Sequence, residues 1–538
     1  MITKKDIYGG RTSPPPNTFI GGVASSLSTK YLLATKLGIS PTRIKSFRIV
    51  NDEVQANIEG TYSVPANAFA NNSNIIFYKD KDRLANRIHN GAFVNCPNLE
   101  ILELYGLVDL SSEGGMKISN TKIVDLYFPE MISISGNNSI RNNTFLKTFD
   151  APIATLLPND NTLSNNPSLE YINIPNVVGH IGSTAANNNT FNGCKIGCAI
   201  NVHSSLISNN GGLPDADLYS NADLDVNYIG YEHNVDNYNT EVGGLASTQN
   251  TRFLTGKALG IGSSRVVDFS ISGSDVRFRV LGNHNLNNVF RNNSNITYYK
   301  DNAGLCPQLN NNAFSFATNL TEVYFPATTT LSAGTSGTSG VFNDCPKLTM
   351  IYMPLLTNIN GRKNFANTPL LKFMNFDNVI GAIGVWTFQG SGIEHISLPL
   401  VTSLGQEMLS VNTLTKILDA PMATDFAIRV FENARGLEII NIPSVENIPV
   451  KNQTFHDLTS LNILNAKKLK YMGNAGSVNG NGSAPMFNSL KLNCRIQVHI
   501  AMATVNSGFA DASLIWAKTN RSAVVEFYDD NGTYVSTL

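Results

Sequence analysis

Leu169-Glu170-Tyr171-Ile172-Asn173-Ile174-Pro175 is the stretch that decides the fold. Its first, fourth and sixth places are apolar, and proline closes it. The phrase returns as LTEVYFP from Leu320, LTMIYMP from Leu348 and LEIINIP from Leu437. Eleven segments share the pattern, led by Leu99, Ile123, Leu146 and Leu169, then by Leu320, Leu348, Leu371, Ile393, Thr415, Leu437 and Leu461. Successive leads within each group lie 22 to 28 residues apart. Leu102, Phe149, Ile172, Ile351 and Ile440 show the fourth place, and Leu104, Phe128, Ile174, Phe376 and Ile442 the sixth; no polar residue occurs in either. The fifth place, from Glu103 to Asn465, is polar or tyrosine throughout. In-out-in alternation marks a short strand with one buried face. One such strand per repeat of about 23 residues, stacked at the usual strand spacing, predicts a repeat solenoid with a parallel sheet. Proline follows eight of the eleven strands, as at Pro129, Pro175 and Pro354, where the chain leaves the sheet and no ladder donor is needed.

A larger duplication contains the small repeat. NNSNIIFYKD at 71–80 matches NNSNITYYKD at 292–301 in eight of ten places. YLLATKLGI from Tyr31 pairs with FLTGKALGI from Phe253, and His203 pairs with His499 at the far end. The second half is longer by 74 residues, which three more repeats supply. The expected organisation is an irregular N-terminal attachment segment (1–30), a first capped array (31–233), a linker (234–251) and a second, longer capped array (252–538). Phe47–Val54, with an Asn51-Asp52 turn, and Phe269–Val276 read as β-hairpin caps, and Val524–Tyr528 with Thr533–Val535 as a closing hairpin.

Of the 538 residues, 69 are asparagine and only 15% are charged, with a net charge of −1. That balance excludes a basic nucleic-acid footprint and a polybasic membrane patch. Turns and side-chain amides, rather than charges, are expected to build the polar surface. No run approaches a membrane span, so no membrane insertion is expected. Six cysteines are too sparse for a disulfide scaffold, and Cys194 and Cys198 lack the partners of a zinc site. The sequence holds no HExxH, nucleophile elbow or phosphate loop, so neither catalytic residues nor a metal or cofactor is expected. Asp150 and Asp419 fall in equivalent strand places of different halves, which argues against a paired-carboxylate site. Asp215 and Asp217 lack the spacing of a calcium loop. His203 and His499 suggest a shared structural role.

The outward side of the sheet is the remaining candidate. Its columns carry Tyr127, Tyr171, Tyr324, Tyr352, Phe373 and His395, the last four from consecutive repeats. Aromatics among Asn, Ser and Asp can stack on sugars or anchor a protein ligand. The same tyrosines also satisfy ordinary strand preference.

The strand phrase, the period and the lead-ins Ala92-Phe93-Val94-Asn95-Cys96-Pro97-Asn98-Leu99 and Val341-Phe342-Asn343-Asp344-Cys345-Pro346-Lys347-Leu348 resemble BspA-type leucine-rich repeats, over about residues 70–205 and 290–500. The resemblance implies a leucine-rich-repeat solenoid and a non-enzymatic binding or structural role. Proteins with such repeats are mostly surface adhesins, and similar arrays occur in phage tail and receptor-binding proteins. No secretion signal is legible in the 538 residues. The expectation is therefore a phage tail- or fibre-associated virion protein contacting the host surface. Its N-terminal segment would meet other virion proteins, its arrays a host glycan or protein, with several copies per particle or a homo-oligomer. A bacterial surface adhesin and a polysaccharide-degrading tail enzyme are the alternatives.

Overall fold

The computed structural model describes residues 13–538 except 111–113, 135, 158–160, 180, 182–188, 212, 222, 335–339, 449–453, 473–486, 488 and 505–510. The N-terminal part of the expected attachment segment, 1–12, lies outside these. The chain forms two compact units. The first runs to His233 and takes in Arg252–Lys257 and Ile261–Val267; the second holds Asn234–Thr251, Ala258–Gly260 and Asp268–Leu538.

Each unit is a stack of short parallel strands, one per repeat. In the first, Asp125–Tyr127, Thr148–Asp150, Tyr171–Ile174, Cys198–His203 and Leu224–Ile229 follow one another in chain order. In the second, Tyr298–Asp301, Glu322–Tyr324 and Met350–Tyr352 form one run, and His395–Ser397, Ile417–Asp419, Ile439–Asn441, Ile463–Ala466, Arg495–His499 and Val524–Tyr528 another. The register aligns equivalent places, Ile172 with Phe149 and Ile440 with Leu418, so every core column stacks on itself. All residues of the fourth and sixth places are buried.

A second apolar column fills the interior beside the strands. Phe290, Phe314 and Phe342 stack in sequence with ring centroids 5.3 and 5.4 Å apart, and Phe365 and Phe388 continue the row. Phe69 and Phe93 do the same in the first unit at 5.4 Å. Parallel-displaced rings add attraction beyond buried area. The cysteines of the lead-in phrases turn inward beside this row: Cys96 Sγ donates to the Phe69 carbonyl and Cys345 Sγ to that of Phe314, each at 3.0 Å. Burial pushes the Cys96 thiol up to about 11 and that of Cys345 up to about 12.

Part of the asparagine excess has a backbone cause. Asn71, Asn95, Asn120, Asn142 and Asn165 occupy the left-handed region, with φ between 52° and 61°, at one turn per repeat. Asparagine tolerates that region better than other residues with a side chain, apart from aspartate. Neighbouring turns are tied through the same amides, Asn95 Nδ2 donating to Asn71 Oδ1 at 2.9 Å and Asn120 Nδ2 to Asn95 Oδ1 at 2.6 Å.

The hairpins form as expected. Ile44–Val50 pairs with Glu53–Ile58 across Asn51 and Asp52, whose φ values of 50° and 63° suit a two-residue hairpin turn. Val266–Ser272 lies beside Asp275–Val280, and Val524–Tyr528 pairs antiparallel with Tyr534–Thr537.

Three features differ from the expected organisation. The segment 1–30 contains the strand Thr18–Gly21, which lies antiparallel between Glu53–Ile58 and Phe77–Asp80 and joins cap to array. The segment 234–251 likewise contains Thr240–Val242, between Asp275–Val280 and Tyr298–Asp301. Each strand is anchored by the asparagine just before it. Asn17 exchanges hydrogen bonds with the Ile58 backbone at 3.0 and 2.9 Å, and Asn239 with Val280 at 2.9 and 2.8 Å. Third, the expected boundary at 252 is not where the units divide. The Arg252 guanidinium donates to the Val226 carbonyl, and Ser263 Oγ bridges the Leu224 carbonyl and the Val226 amide. These bonds fix the segment to the last strand of the first unit.

Candidate binding face

Side chains at the third and fifth places of each strand point away from the core. They form two parallel columns on the outer face of each sheet. In the second unit the fifth-place column reads Tyr324, Tyr352, Asn375, Ser397, Asp419, Asn441 and Asn465. The third-place column beside it reads Glu322, Met350, Phe373, His395, Ile417, Ile439 and Ile463. From Met350 to Asn465 these columns carry one formal charge, Asp419.

Tyr324 and Tyr352 are register partners. Their rings stack at 4.7 Å with 4° between the planes, which is the strand spacing itself. The strand ladder then stops. Leu371–Phe376 carries no strand pairing, and pairing resumes at His395. Phe373 lies in this interruption and is 76% exposed, the highest value for a large apolar residue among the described residues of either unit. Met350 and Tyr352 of the preceding repeat are half exposed, and His395 of the following one is exposed. Four of the six sequence candidates thus fall in consecutive repeats, with Phe373 outside the regular sheet.

The other two lie in the first unit and are occupied differently. The Tyr127 ring sits 6.0 Å from that of Tyr105, a partner outside the strand pattern. The Tyr171 hydroxyl accepts from Asn201 Nδ2 at 2.9 Å.

Sequence reasoning missed an amide ladder. In the second unit Asn465 Nδ2 donates to Asn441 Oδ1 at 2.6 Å, and Asn441 Nδ2 to Asp419 Oδ1 at 2.5 Å. In the first, Asn227, Asn201 and Asn173 donate in turn down to Asp150, over 3.1, 3.1 and 2.8 Å. Each ladder ends on an aspartate, an acceptor when ionised, so all its amides point one way. The signal was present in the fifth-place column, where Asp precedes a run of Asn in both halves.

Ion pairs border the outer columns, as where Lys300 meets Glu322 at 3.2 Å. In the second place of the repeat, Glu394 lies 3.7 Å from both Lys372 and Lys416. In the first unit Lys195 pairs with Glu170 at 2.6 Å and holds that carboxyl below its usual range.

The remaining polar candidates have structural work. Nδ1 of His203 accepts from the Ser205 amide at 3.1 Å, and Nδ1 of His499 from that of Ala501 at 3.0 Å. Both imidazoles therefore cap a short helical turn. Asp215 caps the helix Ala216–Ser220 and also accepts from the Ile181 amide at 3.1 Å. His180 lies outside the described residues.

The BspA type leucine rich repeat region matches in six copies, over residues 62–205 and 335–462, just over half of the chain. The chain belongs to the BspA-type leucine-rich repeat family. Among solved structures, this family member is similar to a leucine-rich repeat protein from Bacteroides ovatus, at 12% identity over 86% of this chain and 88% of that one, with a TM-score of 0.24. It is also similar to the pneumococcal vaccine antigen PcpA, at 9% identity over 83% and 76%, TM-score 0.20. A leucine rich cell surface protein from Faecalibacterium prausnitzii follows at 13% identity over 81% and 87%, TM-score 0.19. Comparison with curated proteins gives no match. Among the described residues of this BspA-type chain, no helix is long and apolar enough to cross a membrane.

Proposed function

We propose that this BspA-type chain is a non-enzymatic adhesin, displayed at a bacterial surface, that holds its ligand on the outer sheet face of the second unit. The observation that carries the reading is the Tyr324–Tyr352 stack together with the protruding Phe373 of the next repeat. An exposed aromatic cluster of this kind costs solubility, and on soluble proteins such patches mark interaction sites. Tyrosine supplies contact area with a hydrogen-bonding tip and few rotatable bonds. The near-absence of charge on the face means recognition by contact, and several copies on one surface would add avidity.

Of the two placements expected from the sequence, the family supports the bacterial surface. Attachment to a virion, and contacts of the N-terminal segment with other virion proteins, draw no support from the fold or the comparisons. The test is immunogold labelling with antibody against the full chain, applied to source cells and to purified particles. Label on cell surfaces is expected, with adhesion reduced about tenfold by Tyr352→Ala plus Phe373→Ala, as for a hot-spot pair. Label confined to a tail or fibre would overturn the placement.

A further inference from the structure

We infer that the ligand of the second unit's outer face is a neutral, extended polysaccharide, lying along the stack of repeats from Tyr324 toward Asn465. The inference rests on the binding role proposed above and names its ligand class.

Three observations carry it. The first is hydrogen-bonding capacity. A primary amide has two N–H donors. In the second unit the ladder uses one donor of Asn441 and one of Asn465, and the flanking third-place side chains, Ile417, Ile439 and Ile463, have no polar atom to take the other. In the first unit Asn201 spends both donors, on Asn173 Oδ1 and on the Tyr171 hydroxyl. Asn173 and Asn227 keep one donor each, as Asn441 and Asn465 do, but only on the second face do apolar side chains flank every such donor. Because the ladder has already set their orientation, a ligand meets them with little rotamer entropy left to lose.

The second observation is shape. Tyr324 and Tyr352 stack at the strand spacing, Asp419, Asn441 and Asn465 follow one another at one rung per repeat, and the isoleucines form a partly exposed apolar strip alongside them. A sugar residue has the complementary form: a C–H face for the ring or the isoleucine, and an edge of hydroxyls for the amide. In an extended β-linked chain one residue advances by nearly one rung.

The third is charge. Between Met350 and Asn465 the two columns hold only Asp419; at the Tyr324 end Glu322 is paired with Lys300 at 3.2 Å, and both lysines of the adjoining column, Lys372 and Lys416, lie beside Glu394. An acidic polymer would gain nothing here, and a neutral one loses nothing.

The test is retention of the full chain on insoluble cellulose, chitin, xylan and mannan, in low salt and again in 1 M NaCl. Retention on at least one is expected, unchanged by salt because no ion pair contributes. Phe373→Ala and Asn441→Leu should each weaken it about tenfold, while Phe145→Ala, an exposed aromatic of the first unit, leaves it unchanged. Phe373 is too exposed for its loss to unfold the chain, so that variant decides even if Asn441→Leu folds poorly. No retention on any of the four, with adhesion to cells intact, would overturn the glycan and leave the adhesin, pointing to a protein ligand. Retention that disappears in 1 M NaCl would also overturn it. Loss of cell adhesion itself would count against the binding role and not against the ligand class alone.

Discussion

The two units share an interior and differ on their outer faces. Asn17 and Asn239 anchor the same joining strand, Asp80 and Asp301 sit in the same buried place, His203 and His499 cap the same turn, and an Asp-led amide ladder runs up both sheets. Beside the ladder the resemblance ends. The first unit places Thr148, Tyr171, Ala199 and Asp225 there, and Thr148 bonds Asp125 while Tyr171 bonds Asn201. The second places Met350, Phe373 and three isoleucines. Duplicated cores with divergent faces indicate that packing constrains the columns that touch, whereas outward columns are open to change. The face with the apolar flank and the protruding Phe373 is the one expected to meet a ligand.

Cutting the phenylalanine rows should give the largest effect and test the shared interior directly. Phe314 stacks on Phe290 and Phe342 and meets Tyr299 and Phe325 edge-on, whereas Phe93 stacks on Phe69 and meets Tyr78. Phe314→Ala is expected to cost about 4 kcal/mol in urea unfolding and Phe93→Ala about 3 kcal/mol, since both leave cavities but the first loses more contacts. Equal losses would mean the rows collapse equally well and the extra rings add nothing.

The joining strands come next. Gly22 and Gly244 each have φ of 81°, and a Cβ there would stand 1.9 Å from the Asn74 and Asn295 carbonyl oxygens respectively. Gly22→Ala and Gly244→Ala should therefore cost alike, about 2–3 kcal/mol each, by the usual penalty for a strained backbone. Unequal costs would show that the caps are not equivalent despite their common register.

Much of this was legible. The core columns read correctly because period-2 alternation repeated eleven times averages out local exceptions, and the hairpins because their turns carry Asn-Asp and Gly-Ser. The joining strands were not, although Asn17-Thr18 and Gly21-Gly22 recur as Asn239-Thr240 and Gly243-Gly244. Strands of three or four residues running into glycine are too short for alternation to show, and their pairing partners are distant in sequence. On the face, the four aromatic places of consecutive repeats were legible, but not that Phe373 would fall outside the strand ladder. Strand interruption at Leu371–Phe376 leaves no mark in the apolar pattern, because Met374 and Phe376 stay buried there. The ladder bonds depend on register between repeats, which the sequence does not display.

A smaller change tests the contrast between the faces. Tyr171→Phe removes the hydroxyl that accepts from Asn201 and should cost about 1 kcal/mol, the usual worth of a hydrogen bond. The phenyl ring keeps the packing. If the cost is nil, the first face is no more self-satisfied than the second, and the reason for assigning the ligand to the second unit weakens.

The smallest expected effect is a slope with pH, and it returns to the shared interior. Asp80 and Asp301 are fully buried, and burial raises both carboxyl groups above the ordinary 3.8 although backbone amides partly offset it. Ala85 donates to Asp80; Leu305 and Cys306 donate to Asp301. A carboxyl that holds its proton more tightly when folded adds stability that is complete below 3.8 and disappears as pH rises through the folded value. Asp80→Asn and Asp301→Asn keep an acceptor oxygen and remove the titration. The stability of the wild type relative to either variant should therefore fall as pH is raised from about 3.5 to about 7, measured by urea unfolding at each pH. The two variants should show the same slope. A slope in one alone would mean that the duplication preserved the aspartate in both units but its protonation in only one.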